Sequence, residues 1–456
     1  LKELPVAFDG GVDRADHPFS HGCLERGIVR AGGRIVEGRV LRRGGEPSWL
    51  VAEELEQRRG DVGEPRAGQA GAERWSTARP TCSMVPSRSG SLIALAKSSR
   101  LREHSWSAPG HQGGIGFTKL PVGRAFFDFY GENLFRTDMG IERGQLGSLL
   151  DHTGPIADSE AYAARVFGAH RSYNVVGGTS ESNRTIWQAC LKEGDIAVCD
   201  RNCHKSIEQG LMLTGALPVY MVPTRNRYGI IGPIHPEEMV QETIRKKISE
   251  SPLTKDAASK DPRYAVLTNC TYDGLCYNAA EAQDLLAQSS PRVHFDEAWY
   301  GYARFNPVYA DHYAMRGDPK GHADDAPTVF ATHSTHKLLT ALSQGSYIHI
   351  RDGRETIPHD RFNQSYMMHA TTSPLYAIIA SNDIASAMMD GAGGTLLTTD
   401  VIREAVDFRQ AVARMYKRHQ ASGDWFFKPW NAEVVKDPQT GKQHDFAESP
   451  ADLLVK

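Results

Sequence analysis

The segment ATHSTHKLLTALSQGSYIHI, residues 331–350, places a lysine and several hydroxyl groups directly after a short apolar strand. A lysine just beyond a strand end, beside Ser334 and His336, can form a Schiff base with an aldehyde. Most lysines simply lie on the protein surface, so the position alone leaves the role of Lys337 open.

Zinc binding is a second chemistry that these histidines could support. His333 and His336 would supply two ligands, and either Asp296 or His294 would supply a third. An HxxH sequence after a strand splays its two rings, and it lacks the i, i+4 spacing that brings ligands together on a helix. The sequence therefore favours the lysine chemistry over the metal site.

The segment VVGGTSESNRT, residues 175–185, could bind an anion. Two glycines close a strand, and Thr179 and Ser180 open a helix whose first N–H groups are free to bind a phosphate. Ser and Thr also cap many helices without binding any ligand, so this motif alone is weaker than a P-loop.

The segment HFDEAW, residues 294–299, carries two adjacent carboxylates at the end of a strand. Asp296 and Glu297 point to opposite faces and cannot act together as an acid–base pair. One of them faces the interior, where it needs a partner; a salt bridge with a core arginine is the structural alternative to a cofactor contact. His204, in DRNCHKS, begins a helix after the second strand, where it could stack on a flat ring or cap the helix.

These clusters converge on one cofactor. A phosphate site, a carboxylate for a pyridinium nitrogen and a Schiff-base lysine are the three contacts that pyridoxal phosphate requires. We therefore expect pyridoxal 5'-phosphate to bind, and we expect no metal.

The elements that must position these groups become clear after residue 150. Short β-branched runs alternate with helical stretches, which predicts an α/β fold: a mostly parallel sheet with helices on both faces. In such sheets the ligand lies at the carboxyl ends of the strands, where every unusual polar cluster of this chain falls. The six predicted strands are SYNVVGG, DIAVCDR, LPVYMVP, YAVLTNC, PRVHFDE and TVFATHS, and the helical stretches include TSESNRTIWQACLKEG, HKSIEQGLMLTG and PEEMVQETIRKKISES.

Residues 1–100 differ in composition, with fourteen arginines and only two lysines. The stretch RVLRRGGEPSWLVAEELEQRRGDVGEPRAGQAGAERWSTARPTCSM shows no sustained helical or strand period, and only WLVAEELEQRR could form a short helix. The segment is either a basic, flexible arm that binds something anionic or a stretch that is not evolved protein sequence, such as a gene read in a shifted frame. We leave 1–100 unassigned and expect it to be disordered or unlike a known domain. We take 101–150 as a linker, 151–395 as the cofactor-binding major domain and 396–456 as the start of a small domain.

The overall composition limits the class of protein. A net charge of −3 argues against a nucleic-acid or membrane-surface protein. No apolar run approaches the roughly 18–20 residues of a membrane span, and the N-terminus has no signal-peptide pattern. Seven cysteines without a CxxC pair indicate reduced thiols and a cytoplasmic location.

From about residue 101 the chain closely resembles the bacterial Orn/Lys/Arg decarboxylases. Within that family it is most similar to the arginine branch, whose biodegradative members are acid-inducible. The tract HFDEAWYGYARFNPVYADHYAMRG favours the arginine branch over the lysine branch, and lysine or ornithine decarboxylation is the alternative within the family. The resemblance rests on APGHQGG, FYGENLFRTDMGIE, GSLLDHTG, DRNCHKSIEQGLMLTGA, TNCTYDG, HFDEAWYGYARFNP, HSTHKLLTALSQGSYIH and MMHATTSPLY.

The resemblance implies a fold type I pyridoxal-phosphate enzyme that decarboxylates a basic amino acid, L-arginine to agmatine, in acid resistance. Lys337 would bind the cofactor covalently, Asp296 would pair with its ring nitrogen, His204 would stack on the ring, and Trp299 would lie nearby. The phosphate would be held by Thr179, Ser180, Ser334 and His336. The family also implies a homodimer with shared active sites, to which Thr371, Thr372 and Ser373 could reach from a neighbouring subunit.

The sequence departs from the family at three places. Residues 1–100 do not resemble the wing domain that assembles decamers, so a decamer is not expected. Glu181 occupies a position where the family has a small residue; a carboxylate there would repel a phosphate unless it points into solvent. The family also continues beyond ESPADLLVK, so the chain is expected to be truncated and could be a catalytically silent fragment that binds only cofactor or a partner subunit.

Overall fold

The computed structural model describes residues 26–31, 34–39, 41–43, 46–48, 108–140, 146–424, 427–429 and 431–454. The chain divides into two compact units, residues 1–80 and 81–456. The helix considered for WLVAEELEQRR lies outside the described residues. The domain boundaries expected from the sequence stay predictions.

The first unit contains two antiparallel strand pairs that the sequence analysis did not predict. Strand β1 pairs with β2 from Arg26 opposite Arg39 to Ala31 opposite Arg34, and β3 pairs with β4. In the sequence, each pair is separated by two glycines, a connection that favours tight hairpins. The strands are β1 (Arg26–Ala31), β2 (Arg34–Arg39), β3 (Leu41–Arg43) and β4 (Glu46–Ser48).

The second unit is built on a seven-stranded sheet. Its strands are β5 (Arg171–Val175), β6 (Ile196–Asp200), β7 (Leu217–Met221), β8 (Tyr264–Thr268), β9 (Arg292–Asp296), β10 (Thr328–His333) and β11 (Ser346–Arg351). The spatial order is β5-β11-β10-β9-β8-β6-β7. Within this sheet β11 runs antiparallel to both neighbours, while the remaining neighbouring pairs are parallel. All six predicted strands are present, and β11 is the additional one.

Helices cover both faces of the sheet, as the alternating pattern predicted. The helices are α1 (Pro121–Tyr130), α2 (Glu132–Thr137), α3 (Gly154–Phe167), α4 (Gly178–Cys190), α5 (Lys205–Thr214), α6 (Pro236–Met239), α7 (Gln241–Glu250), α8 (Ala279–Ala287), α9 (Thr335–Leu338), α10 (His359–His369), α11 (Tyr376–Met389), α12 (Ala392–His419) and α13 (Ala451–Leu454). The stretch predicted as one helix over 236–251 is two, α6 and α7, because Val240 between them is extended.

Short elements complete the second unit. A strand pair, β12 (Val434–Lys436) and β13 (Gln443–Asp445), lies near the end of the described chain. Turns of 3-10 helix occur at Phe117–Lys119, Pro252–Thr254, Ala303–Phe305, Pro307–Tyr309, Pro319–Gly321 and Phe446–Glu448.

The apolar core is divided by the sheet into two layers. Along β8, Tyr264 and Val266 pack into one buried cluster while Ala265 and Leu267 pack into the other. This strict alternation follows from the two-residue period of a strand. Burying a large apolar side chain fully stabilises the folded chain by about 1.5–3 kcal/mol. Both core layers therefore stabilise the sheet whose carboxyl edge carries the polar residues.

Among the described residues, the structure contains no helix with the length and apolar character required to cross a bilayer.

Candidate active site

The eight site residues predicted from the sequence surround one cavity of about 490 Å³ at the carboxyl edge of the sheet. This volume is within the usual range for small-molecule sites, roughly 300–1,000 Å³. The predicted residues that line it are Thr179, Ser180, His204, Asp296, Trp299, Ser334, His336 and Lys337. The sequence thus located the cavity, while the role of each residue stays a prediction.

The start of α4 forms the end of the cavity that is predicted to bind a phosphate. Gly178 has φ +74°, a left-handed conformation that glycine adopts without strain. The Thr179 hydroxyl lies 2.6 Å from Ser334 Oγ and 3.1 Å from Ser346 Oγ, so three buried hydroxyls meet at the helix N-terminus. Hydroxyls combined with free helix N–H groups suit an anion.

Glu181 lies in the first turn of α4, and its side chain is not directed into solvent as the sequence analysis had allowed. It is 4% exposed and does not line the cavity. Burial raises its pKa to about 7, against the effects of Arg184 and a hydrogen bond from the Gly177 N–H, while Oε1 has no hydrogen-bond partner. The carboxylate is therefore accommodated inside the protein, behind the predicted phosphate site.

Asp296 and Glu297 point in different directions, as the strand geometry predicted. Asp296 accepts a hydrogen bond from Asn183 at 2.9 Å and lines the cavity. Glu297 accepts hydrogen bonds from Asn269 Nδ2 at 2.9 Å and from the Ala314 N–H at 2.8 Å.

The arginine partner considered for a buried carboxylate was wrong for Glu297. Its partner is instead His333, whose Nε2 lies 3.1 Å from Oε2. An imidazole provides a hydrogen-bond donor and avoids the desolvation cost of a guanidinium ion. This suits Glu297, whose side chain is 1% exposed.

Lys337 lies in the single turn α9, which directly follows β10. Its Nζ is 4.5 Å from the centre of the Trp299 ring, within cation–π range. Burial lowers the pKa of Lys337, and the negative charge of Asp296 opposes this effect. A lowered pKa increases the fraction of the neutral amine, which is the nucleophilic form.

His204 is the N-cap of α5, which is one of the two alternatives weighed for it, and it also lines the cavity, so stacking on a flat ring stays a prediction. Its Nδ1 accepts a hydrogen bond from the Ser206 N–H at 3.2 Å. Burial lowers the pKa of His204, which favours the neutral ring.

The histidines around Lys337 are committed to different partners. His336 Nδ1 lies 2.7 Å from the Gly345 carbonyl oxygen, to which it must donate, and His333 contacts Glu297. His294 Nδ1 contacts the Tyr264 hydroxyl. Over residues 108–454 as far as they are described, no three metal-ligating side chains are grouped as an ion would require.

Several residues of the site were not identified from the sequence, of which Tyr272 lines the cavity and Asn183 and Ser346 lie behind its lining. Asn183 and Ser346 hold predicted residues from below, while Tyr272 stands beside Trp299 with ring centres 5.4 Å apart. Polar residues in a helix or on an antiparallel strand give no local signal of such contacts. Thr371, Thr372 and Ser373 are exposed and do not line this cavity, so their proposed reach to a neighbouring subunit stays a prediction.

The chain matches a known family over most of its length. A family model described as Orn/Lys/Arg decarboxylase, major domain, matches residues 92–455. The biodegradative arginine decarboxylase of Escherichia coli K12 is 72% identical over 362 residues, which are 79% of this chain and 48% of that protein. Lysine decarboxylase LdcA of Pseudomonas aeruginosa is 45% identical over 359 residues, 78% of this chain and 47% of that protein. The chain therefore spans about half the length of the curated relatives it matches.

Solved structures show the same fold. Lysine decarboxylase A from Pseudomonas aeruginosa superposes with a TM-score of 0.67 at 46% identity, covering 71% of this chain and 43% of that chain. The constitutive lysine decarboxylase of E. coli gives a TM-score of 0.66 at 39% identity, covering 76% and 48%. The predicted α/β fold is confirmed, and the expected similarity to the arginine branch is confirmed by the higher identity to the arginine enzyme.

Proposed function

The chain belongs to the Orn/Lys/Arg decarboxylase family, and from this premise we propose that it forms the cofactor- and substrate-binding part of a pyridoxal-phosphate-dependent arginine decarboxylase. The reaction would convert L-arginine to agmatine and carbon dioxide and consume a proton, in keeping with acid resistance. The observation that carries the proposal is the meeting of Lys337, Asp296 and the Thr179–Ser334 hydroxyl pair on one cavity.

The residues present fit the cofactor in type and number. Thr179, Ser180, Ser334 and His336 would hold the phosphate together with the N-terminus of α4, Asp296 would hold a proton on the ring nitrogen, and His204 would lie against the ring. Glu181 does not prevent this fit, because its side chain is turned away from the cavity lining. When bound, pyridoxal phosphate supplies an electron sink that stabilises the negative charge left at Cα as carbon dioxide departs.

The side chains of the chain itself would then control proton movement and water. Lys337 Nζ, with its lowered pKa, would attach the cofactor and is a candidate to return a proton to Cα. Trp299 lines the cavity beside Tyr272, which is 79% exposed, so the indole would be the ring that restricts water near the reacting carbon. Asp296 is 3% exposed, so its charge acts through little solvent.

Arginine is the substrate favoured by similarity. Identity to the E. coli arginine enzyme is 72%, against 45% to LdcA and 36% to the E. coli constitutive ornithine decarboxylase. Lysine and ornithine are the alternative substrates. Incubating the chain with each amino acid and measuring agmatine, cadaverine and putrescine would distinguish them.

Two further parts of the proposal concern the setting of the protein. A cytoplasmic location is supported by the cysteines at 190, 199, 203, 270 and 276, which are free thiols. A homodimer with shared active sites is supported by the exposure of Thr371, Thr372 and Ser373 outside their own cavity. Sedimentation of the purified chain, with and without cofactor, would measure the oligomeric state.

The proposal is tested by attaching pyridoxal phosphate to the purified chain. Borohydride should fix the cofactor on Lys337, as located by peptide mass spectrometry, and Lys337→Ala should abolish this adduct. Lys192→Ala, at an exposed lysine outside the cavity, is the matched control and should label normally. A folded wild-type chain that gains no adduct at Lys337 would contradict the proposal.

A further inference from the structure

The polar groups beneath the cavity form one buried network centred on Asn183 of α4. The Asn183 side chain has no exposed surface. Its Nδ2 lies 2.9 Å from Asp296 Oδ2 and 2.8 Å from Ser206 Oγ, and its Oδ1 lies 3.0 Å from Thr332 Oγ1. Both hydrogens of this amide are therefore used on two residues that belong to different elements, β9 and α5.

The far side of the network is compatible with this direction of the hydrogen bonds, and the nearer of the two acceptors of Thr332 Oγ1 is Asn183 Oδ1, at 3.0 Å against 3.4 Å for Asp296 Oδ1. Burial lowers the pKa of His294 to about 3, so its ring is neutral. The Tyr264 hydroxyl contacts His294 Nδ1, and His294 Nε2 lies 3.1 Å from Thr332 Oγ1. When Tyr264 donates to Nδ1, Nε2–H donates to Thr332, which leaves the threonine hydrogen for Asn183 Oδ1.

A reversed Asn183 amide would be unfavourable. It would place the amide oxygen against the Asp296 carboxylate, acceptor against acceptor, and would leave the buried amide hydrogens facing Thr332. The orientation in which the NH₂ group faces Asp296 and Ser206 is therefore the one that satisfies every partner.

The second branch of the network determines the state of His204. Because Ser206 Oγ accepts from Asn183, its own hydrogen is available for His204 Nδ1, 2.8 Å away. The Ser206 N–H donates to the same nitrogen at 3.2 Å. A nitrogen that accepts hydrogen bonds carries no hydrogen, so the proton of the neutral ring is on Nε2. Three charges act on this ring: Asp296 favours a second proton, while Lys337 and Lys205 oppose it.

We propose that Asn183 is a positioning residue that orients the Asp296 carboxylate and, through Ser206, holds His204 as the Nε2–H form. The Asn183 amide would then orient both residues assigned to the cofactor ring, Asp296 at the ring nitrogen and His204 at the ring face. The role of the two groups rests on the proposed function, whereas the hydrogen bonds belong to the chain without its cofactor.

The first arm of the test uses the full chain without cofactor. Nitrogen-15 NMR of histidine-labelled protein distinguishes Nδ1–H from Nε2–H, and His204→Gln assigns the resonance by its loss. The wild type should show Nε2–H over the neutral range. Asn183→Ala frees the Ser206 hydroxyl to accept from Nδ1–H, while the Ser206 N–H still favours an unprotonated Nδ1. The variant should therefore show the Nδ1–H form as a minor component beside Nε2–H, and a higher His204 pKa. Ser206→Ala should change the same resonance.

The second arm measures the dissociation constant of pyridoxal phosphate. Asn183→Ala should weaken binding at least tenfold, because Asp296 Oδ2 loses its amide donor and the remaining donors, the Ala298 N–H at 3.2 Å and Thr332 Oγ1 at 3.4 Å, both contact Oδ1. Ser206→Ala should stay within about threefold of the wild type, because Asn183 still donates to Asp296 in that variant. Asn306→Ala is the matched control: Asn306 is also buried, at 8% exposure, but donates to Thr398 and Thr399 away from the cavity. It should leave both readouts unchanged.

The outcomes separate the inference from the proposed function. A wild type that binds no cofactor would defeat the proposed function, while the NMR arm would still test the network. A folded Asn183→Ala chain with an unchanged His204 resonance, or with unchanged cofactor affinity, would overturn the role of Asn183. Should Asn183→Ala fail to fold, an unchanged His204 resonance in Ser206→Ala would overturn it instead.

Discussion

His152 and Glu160 form a buried ion pair with Nδ1 2.9 Å from Oε2, and both side chains are less than a tenth exposed. The other ring nitrogen, Nε2, lies 3.0 Å from Asn363 Oδ1, and Asn363 Nδ2 donates to the Leu150 carbonyl, which orients the amide. Since both nitrogens face acceptors, the ring is held as the imidazolium.

This pair predicts a stability that declines in alkali. Burial alone would lower the pKa of His152, but the charge of Glu160 and the hydrogen bonds that His152 donates to Glu160 and Asn363 outweigh it, so the pKa is raised. A histidine with a raised folded-state pKa contributes stability that is complete below its unfolded value near 6.5 and is lost as the pH rises through the folded value. Urea unfolding at pH 6, 7.5 and 9 would measure this decline.

The variant His152→Gln should remove that pH dependence and cost about 3–5 kcal/mol at pH 6, because it leaves the Glu160 carboxylate buried without a cation. Asp128→Asn is the control, since the Arg124–Asp128 pair is more than half exposed on both sides. A His152→Gln protein with the wild-type pH profile would contradict the assigned imidazolium.

Glu181→Gln should stabilise the protein at high pH. Burial raises the pKa of Glu181 to about 7 from its usual value of 4.5, so ionisation costs folding free energy as the pH rises from 4.5 through 7. The difference between these two pKa values corresponds to roughly 3 kcal/mol of the free energy of unfolding. The variant should therefore be more stable than the wild type by about that amount at pH 8, with the gain fading toward pH 4.

Denaturant unfolding at pH 5 and pH 8 would check this expectation, with the exposed Glu193→Gln as the matched control. Equal stability of wild type and Glu181→Gln at pH 8 would show that the buried carboxylate finds a partner. Cofactor affinity at pH 8 should also rise in Glu181→Gln, because the variant removes a negative charge behind the phosphate site.

Gly178→Ala should weaken cofactor binding. Gly178 has φ +74°, and a side chain in this left-handed region costs about 1–2 kcal/mol. Relief of that strain would move the backbone N–H groups that open α4. Titration with pyridoxal phosphate should show a dissociation constant roughly five- to thirty-fold higher, because binding would have to restore the strained conformation.

Gly194→Ala provides the control for this change. Gly194 has φ +82°, so alanine meets the same backbone strain there, but no atom lies within 4 Å of the added methyl group. It should lower stability without altering cofactor affinity. Equal effects of the two variants on affinity would mean that the loop conformation at Gly178 is not what binds the phosphate.

Trp299→Ala should raise the pKa of Lys337. The indole covers the amine at 4.5 Å, and burial is the main cause of the lowered pKa. Removing the ring admits water, which stabilises the ammonium. The pH midpoint for labelling Lys337 with pyridoxal and borohydride should therefore move upward, while labelling of exposed Lys192 serves as the internal reference. An unchanged midpoint would assign the low pKa to other groups.

Local patterns carried much of the fold and the site. The β-branched runs predicted six strands of the sheet. The two-residue period of a strand predicted that Asp296 and Glu297 point in different directions. The convergence of Lys337, Asp296 and Thr179 followed from the rule that ligands bind at the carboxyl ends of parallel strands.

What the sequence could not supply depends on contacts between distant segments. Ser346 reaches the Thr179 hydroxyl because β11 is antiparallel to its neighbours. No local sequence pattern indicates the direction in which a strand runs. Asn183 is an ordinary polar helix residue until its neighbours on β9 and α5 are known. His333, not an arginine, meets Glu297 because the loop after β9 and the end of β10 happen to converge there.

The antiparallel direction of β11 has a further consequence for how the lysine is held. Strands β10 and β11 are hydrogen-bonded neighbours, so the twelve residues 334–345 form the loop of a β-hairpin that begins and ends at the same sheet edge. Lys337, Ser334 and Ser346 are therefore joined by a short closed segment rather than by a crossover that spans the sheet. Closing so short a loop costs little chain entropy, and a one-residue insertion within it would shift Lys337 relative to Ser334 or to Ser346, depending on its side of the lysine, while leaving every strand intact.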